Sequence, residues 1–316
     1  MIFKFEPHYF ERAWGGQSLR HVLSRKIPSG KKIGESWELV DREDYQSSLT
    51  NHEYKTYSIR ELLQLKSEFI MGPGWDKNRR FPILVKWLDC TERLSLQVHP
   101  PARWADALGG QPKTENWYIM HADDNAALFL GLKKGKTKED FLEALAEENL
   151  ESVCQQIKSK PGNSVLVESG RMHAIDGGNL ILEIQQNSDT TYRVYDWGRR
   201  DKNGNSRKLH VEESLKCIDF NDTNVEIIEA NHEPVQTLAD CEHFRIRKFK
   251  LHPNRQIRLK DLNEQCVLLN PIGTSLQIGQ MHLDSGHTGL SPYGASCTIS
   301  SDNEGDLIVT DNFTDN

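Results

Sequence analysis

The chain has 316 residues, 37% of them hydrophobic, which is enough for a substantial core and, by length, about two domains. Its formal charge of −7 argues against nucleic acid or an anionic membrane surface as the main partner, so an anionic ligand would have to meet a local cluster of Lys and Arg. Six cysteines with no CxxC and no close pair, an N-terminus without a basic region leading into an apolar run, and no apolar run of spanning length imply a soluble cytoplasmic protein with reduced thiols.

In chain order, a short helix is expected over Ser58–Leu65, followed by the turn Met71-Gly-Pro-Gly-Trp75. Strand-like runs then dominate: Phe81–Leu88, Leu94–Val98, Trp117–Met120, Ala127–Leu130, Ser164–Val167, Leu180–Gln186 and Thr191–Tyr195. Pro101–Leu108 is a third helix candidate. The strongest helix signal covers Thr137–Ile157, where Thr137 and Asp140 form a capping-box pattern. Phe141, Leu142, Leu145, Leu150, Val153 and Ile157 then recur at helical spacing. The stretch Asn221–Thr237 is polar. Beyond it, His243–Leu251 and Gln265–Leu269 read as strands of a second, smaller β domain, so the expected division is 1–230 and 231–316. His243, His252, His282 and His287 in that second part have no carboxylate at convincing ligand spacing, and a solvated or structural role is expected for them.

The chemistry concentrates in Ser95-Leu-Gln-Val-His-Pro100. Side chains two apart on a strand share a face, so Gln97 and His99 project together. Pro100-Pro101 cannot continue a central strand, which puts His99 at a strand end. With Glu115 and His173 the set becomes a mixed nitrogen and oxygen site for a divalent metal, suited to zinc or another metal that accepts imidazole and carboxylate. Non-haem iron is the alternative, and an oxygenase would then be the enzyme class.

Basic residues form a second constellation. Lys86 interrupts the apolar run Phe81–Leu88 and either faces a polar cavity or snorkels from a sheet edge. Lys113 stands two before Glu115 and shares its face if the segment is extended. Arg193 lies between Asp189 and Asp196, where a structural ion pair serves as well as a functional role. Ser95 shares the face of Gln97 and can donate to a phosphate or to backbone. Glu183 alternates with Leu182 and Ile184, which are expected to pack inward, so Glu183 lines a cavity or faces solvent.

Taken in order, these segments resemble the type I mannose-6-phosphate isomerases. The resemblance rests on Pro82-Ile-Leu-Val-Lys-Trp-Leu-Asp89, Leu94-Ser-Leu-Gln-Val-His-Pro100, Pro112-Lys-Thr-Glu-Asn-Trp117, Gly170-Arg-Met-His-Ala-Ile175 and the run Glu183–Trp197, with Pro7–Gly16 matching the family's N-terminus. It covers most of residues 1–215, and the size looks like the short bacterial form. It implies a mainly β cupin fold, a double-stranded β-helix barrel, with a small helical insertion near 137–157. It implies one zinc ion on His99, Glu115, His173 and Gln97, with Arg193 as catalytic arginine. Lys113 and Asp189 match residues implicated in sugar binding and proton transfer, and Ser95, Lys86 and Glu183 are the remaining substrate-binding candidates. The implied reaction interconverts mannose 6-phosphate and fructose 6-phosphate through a cis-enediolate. Its base is open among Lys113, Asp189, Glu183 and a water on the metal. A monomer is expected, with a dimer also compatible. Glucose 6-phosphate isomerisation and non-catalytic sugar-phosphate binding are the competing functions. The chain departs from the family pattern at Glu168, Arg171 and Met172, beside the expected ligand His173.

Overall fold

The computed structural model describes residues 1–200 and 204–313. The fold is mainly β, as expected. The chain divides into two compact units, neither of them one continuous stretch. One unit is built from Met1–Tyr9, Ser36–Lys86 and Asn231–Asn316, the other from Phe10–Glu35 and Trp87–Ala230. Segments 1–9 and 36–86 group with the C-terminal part.

The first unit holds a six-stranded antiparallel sheet in the order Phe3–Lys4, Gly289–Ser291, Val267–Ile272, Gly305–Asp311, Arg245–Leu251, Val235–Asp240. Ile2, Leu251, Leu269, Leu276, Leu307 and Val309 pack beneath it. The helix expected over Ser58–Leu65 begins with a capping box between Ser58 and Glu61, is broken at Lys66 (φ −140°, ψ 34°), and resumes beyond that kink to Met71. Among the described residues, no helix is long and apolar enough to cross a membrane, and all six cysteines are free thiols.

The second unit contains the chemistry. A five-stranded antiparallel sheet runs Tyr192–Tyr195, Leu96–Val98, His173–Ile175, Ala127–Leu132, Cys154–Lys158. Four strands of another sheet run Ile227–Ile228, Ser164–Val167, Glu115–Ala122, Asn179–Gln186. Period-2 alternation decides which side chains meet. Leu96, Val98, Phe129, Ala174, Tyr192 and Val194 leave the five-stranded sheet on one face and pack with Phe141, Leu150 and Val153. Leu128, Leu130 and Ile175 leave it on the other face and meet Trp117, Ile119, Val165, Val167 and Ile181. Each Val, Leu, Ile or Phe side chain among them, taken fully from water, contributes about 1.5–3 kcal/mol.

The helix expected over Thr137–Ile157 is much shorter. It covers Lys138–Ala146, with the Thr137–Asp140 capping box in place. Glu148 adopts a left-handed conformation (φ 55°), which an α-helix cannot pass through. A 3-10 turn over Leu150–Ser152 follows, and Cys154–Lys158 is a strand paired with Ala127–Leu132. Phe141, Leu150 and Val153 still reach one core, so the 3.6-residue spacing reflects a shared destination rather than one helix. Leu142 is exposed. The segment expected at Pro101–Leu108 forms one turn of helix, Ala102–Ala105, and a 3-10 turn, Asp106–Leu108.

Candidate metal centre

Strand register assembles the site. His173 is the direct antiparallel partner of Gln97, and Arg193 is the partner of Gln97 on its other side. Directly paired residues share a face, so Gln97, His173 and Arg193 stand in a row across three strands. In the other sheet Glu115 pairs with Gln185 and Trp117 with Glu183. These site residues occupy the faces that Ile175 and Ile119 occupy further along the His173 and Glu115 strands. His99 follows the last residue of the Leu96–Val98 strand, at the strand end that Pro100 implies.

Three side chains converge: His99, Glu115 and His173 present ligand atoms within 4.8 Å of one another, all of them buried. His99 Nε2 lies 3.3 Å from Glu115 Oε2, and His173 Nε2 lies 3.6 Å from Glu115 Oε1. Each ring is oriented from behind. His99 Nδ1 is 2.9 Å from the Thr190 carbonyl and His173 Nδ1 is 2.8 Å from the Arg171 carbonyl. A carbonyl only accepts, so each Nδ1 carries the proton and each Nε2 presents a lone pair to the centre.

Burial pushes the His173 imidazole down to about 3, with His99 adding to the effect. Burial, then the Lys113 ammonium, lowers His99 as well. Both rings are therefore neutral near pH 7, the form that ligates metal. Burial alone would raise the Glu115 carboxyl, but the Lys113 ammonium, the largest opposing influence, holds Glu115 well below the usual carboxylate range.

His99 Nε2, His173 Nε2 and both Glu115 oxygens are buried without a hydrogen-bond partner. Lys113 Nζ approaches Glu115 Oε2 to 2.6 Å as an ion pair, outside hydrogen-bond geometry. His99 Nε2, His173 Nε2 and Glu115 Oε1, sealed from water, would each cost about 1–3 kcal/mol if left unmet, whereas Oε2 faces the Lys113 ammonium. A divalent cation taking one atom from each residue would meet both imidazole lone pairs and a carboxylate oxygen, and rings braced through Nδ1 are the usual support for such a cation. The residues present fit a metal of the kind expected.

Lys113 and Glu183 join the centre. Lys113 Nζ is 3.7 Å from Glu183 Oε1, and Trp117 Nε1 donates to Glu183 Oε2 at 3.1 Å. Burial opposes the Lys113 charge, yet Glu115 and Glu183 together raise its pKa above the ordinary lysine value. Leu182 and Ile184 are buried too, but Glu183 and Gln185 are the pair sharing a face with Trp117 and Glu115, so Glu183 does not face solvent. Arg193 Nε donates to Ser95 Oγ at 3.2 Å and Nη1 to the Lys208 carbonyl at 3.1 Å. Asp196 instead bonds Arg207 (Nε to Oδ2, 2.7 Å) and Arg199. Burial, then Arg207, lowers the Arg193 pKa, and a guanidinium stays charged regardless.

Asp189 is exposed, and its charge reaches Lys113. Lys86 belongs to the other unit; it is buried, not an edge lysine at the surface, and its Nζ sits 4.7 Å above the Trp37 ring. His282 pairs with Asp284 at the surface, in keeping with the solvated role expected for it, and among the described residues the His99, Glu115, His173 group is the one metal-competent cluster.

Sequence reasoning passed over Trp117, naming it only as the start of the Trp117–Met120 strand and the end of a family segment. The Trp117 ring meets His173 edge-on at 5.4 Å while its N–H holds Glu183. The period-2 argument that joins Lys113 to Glu115 extends to Trp117 and finds it. The Thr190 and Arg171 carbonyls carry no residue-type signal and are invisible to it.

The chain is similar to known proteins in sequence and fold. The sequence profile of the type I phosphomannose isomerase catalytic domain matches residues 2–127. The mannose-6-phosphate isomerase ManA of Bacillus subtilis is 34% identical over 261 residues, 80% of this chain and 81% of that protein. A mannose-6-phosphate isomerase of Streptococcus mutans is 39% identical over 209 residues, 66% of this chain and 65% of that protein. The crystal structure of the mannose 6-phosphate isomerase from Bacillus subtilis superposes with a TM-score of 0.84 at 29% identity, covering 98% of this chain and 99% of that one. Its shared architecture agrees with the cupin fold that the motifs imply. This chain belongs to the type I phosphomannose isomerase family and is an isomerase.

Proposed function

We propose that the chain interconverts mannose 6-phosphate and fructose 6-phosphate with one zinc ion on His99, Glu115 and His173, and Gln97 as fourth ligand. The observation that carries this reading is the convergence of His99, Glu115 and His173, one ligand atom from each within 4.8 Å of the others, with both Nε2 atoms buried and without a hydrogen-bond partner. Bound there, zinc supplies Lewis-acid stabilisation of negative charge on sugar oxygens. The protein's own groups do the rest. Lys113, held as an ammonium by Glu115 and Glu183, donates to the oxygen on which charge develops as the cis-enediolate forms. Asp189, exposed and within electrostatic reach of Lys113, takes the proton from C2 of the aldose or C1 of the ketose and returns it at the neighbouring carbon. Arg193, aimed by Ser95 and the Lys208 carbonyl, adds a fixed positive charge opposite the same oxygens. Glu183, fixed by Trp117, orients sugar hydroxyls, and Ser95 serves the phosphate.

The catalytic work is assigned to the unit of Phe10–Glu35 and Trp87–Ala230. A cytoplasmic monomer is the proposed state, in keeping with six free thiols among the described residues. The test is a coupled assay of the zinc-loaded chain on mannose 6-phosphate and glucose 6-phosphate side by side, with oxygen uptake followed. Turnover of mannose 6-phosphate is expected to exceed that of glucose 6-phosphate. Preference for glucose 6-phosphate, tight sugar-phosphate binding without turnover, or oxygen consumption would each replace this reading.

A further inference from the structure

Arg171 stands where the chain departs from its family's pattern, two residues before His173. Its carbonyl accepts from His173 Nδ1 at 2.8 Å. All three guanidinium nitrogens are engaged elsewhere. Nε and Nη2 reach Asp222 Oδ2 and Oδ1 at 2.6 and 2.9 Å, and Nη1 reaches the Leu166 carbonyl at 2.6 Å. The bidentate pair is largely withdrawn from water, with side chains 10% and 13% exposed. Such a fork holds a guanidinium in one plane, which a single contact does not.

Asp222 is fixed in turn from its backbone. Its carbonyl accepts from Leu132 N at 3.3 Å. Gly131, at φ 65°, leaves room for that carbonyl, because a Cβ there would lie 2.4 Å from it. Gly131 N also donates to the Met172 carbonyl at 2.7 Å. The Ala127–Leu132 strand thus anchors Asp222 on one side and the residue between Arg171 and His173 on the other.

We propose that Asp222 is a positioning residue for the metal centre. Through Arg171 it fixes the carbonyl that sets the His173 tautomer and aims His173 Nε2. This inference rests on reading His99, Glu115 and His173 as metal ligands. A pair that merely staples the loop would lower thermal stability and leave metal affinity alone. A positioning pair must change affinity.

The experiment titrates Co2+ into the chelator-treated full chain, following the visible absorption band, and measures Zn2+ affinity by chelator competition. Asp222→Asn and Arg171→Ala are each expected to weaken binding by about 10–100-fold with an altered Co2+ band. The double variant should be little worse than either single one, because both remove the same support. Asp140→Ala, which removes a helix cap remote in the chain from these ligands, serves as the destabilised control and should bind like the parent. Should Arg171→Ala fail to fold, Arg171→Lys keeps the charge and loses the fork, and the same weakening is expected. Variant affinities within about twofold of the parent, with a normal Co2+ band, would overturn the positioning role alone. A parent chain that binds neither ion would overturn the metal-centre reading and this inference with it.

Discussion

Lys113 and Glu115, two residues apart, form a buried ion pair with Nζ 2.6 Å from Oε2. The pair explains how the chain keeps a carboxylate ionised in its interior before any metal arrives. Replacing Lys113 by Met leaves that carboxylate alone, at a cost of about 3–5 kcal/mol to the metal-free fold. Metal content should be retained, because a competing cation is gone, while turnover falls about 10²–10⁴-fold with the loss of the proton donor. Urea unfolding of the chelated protein and metal analysis of the loaded protein check the two halves separately.

The ligand assignment separates His99 and His173 from Arg193. His99→Ala or His173→Ala should lose metal and activity together. Arg193→Ala should keep the metal and lose turnover, since its partners are Ser95 and a backbone carbonyl. Metal loss in the Arg193 variant would make Arg193 structural.

The pH dependence of the metal-free fold has a definite sign. His173 titrates at about 3 folded against 6.5 unfolded, because burial favours the neutral ring. Its contribution is complete above pH 6.5 and lost progressively as pH falls toward 3. His99, lowered by burial, acts in the same direction. Glu115, held below 4.5, adds a further loss at the acid end. The urea midpoint of the chelated chain should therefore drop between pH 7.5 and 5. A midpoint that is flat or rises over that interval contradicts the buried neutral imidazoles.

Trp117→Phe keeps an aromatic edge against His173 and removes the N–H that holds Glu183. A buried carboxylate oxygen left without its donor costs about 1–3 kcal/mol. Metal affinity should be unchanged and turnover reduced, which kinetic assay of the metal-loaded variant measures. Unaltered turnover would limit Trp117 to packing.

Much of this centre is legible in the residues themselves. His99, Glu115, His173 and Arg193 are side-chain types with few structural uses when buried, and strand alternation alone puts Gln97 beside His99. The strand that carries Glu115 and Trp117 follows from the same alternation. The helix beyond Thr137 is less legible, because Leu150 and Val153 reach the core through a 3-10 turn that mimics helical spacing. The pairing of Phe3–Lys4 with Gly289–Ser291 joins opposite ends of the chain, a link that no local composition records. The Thr190 and Arg171 carbonyls orient both histidines, yet backbone atoms are the same at every residue.

The most direct test of the central claim is zinc content and mannose 6-phosphate isomerisation measured on one preparation, before chelation, after chelation and after zinc is restored. The account predicts about one zinc per chain, in a site built from two imidazoles and one carboxylate, with activity that disappears and returns with the metal. Full activity in the metal-free chain would contradict it.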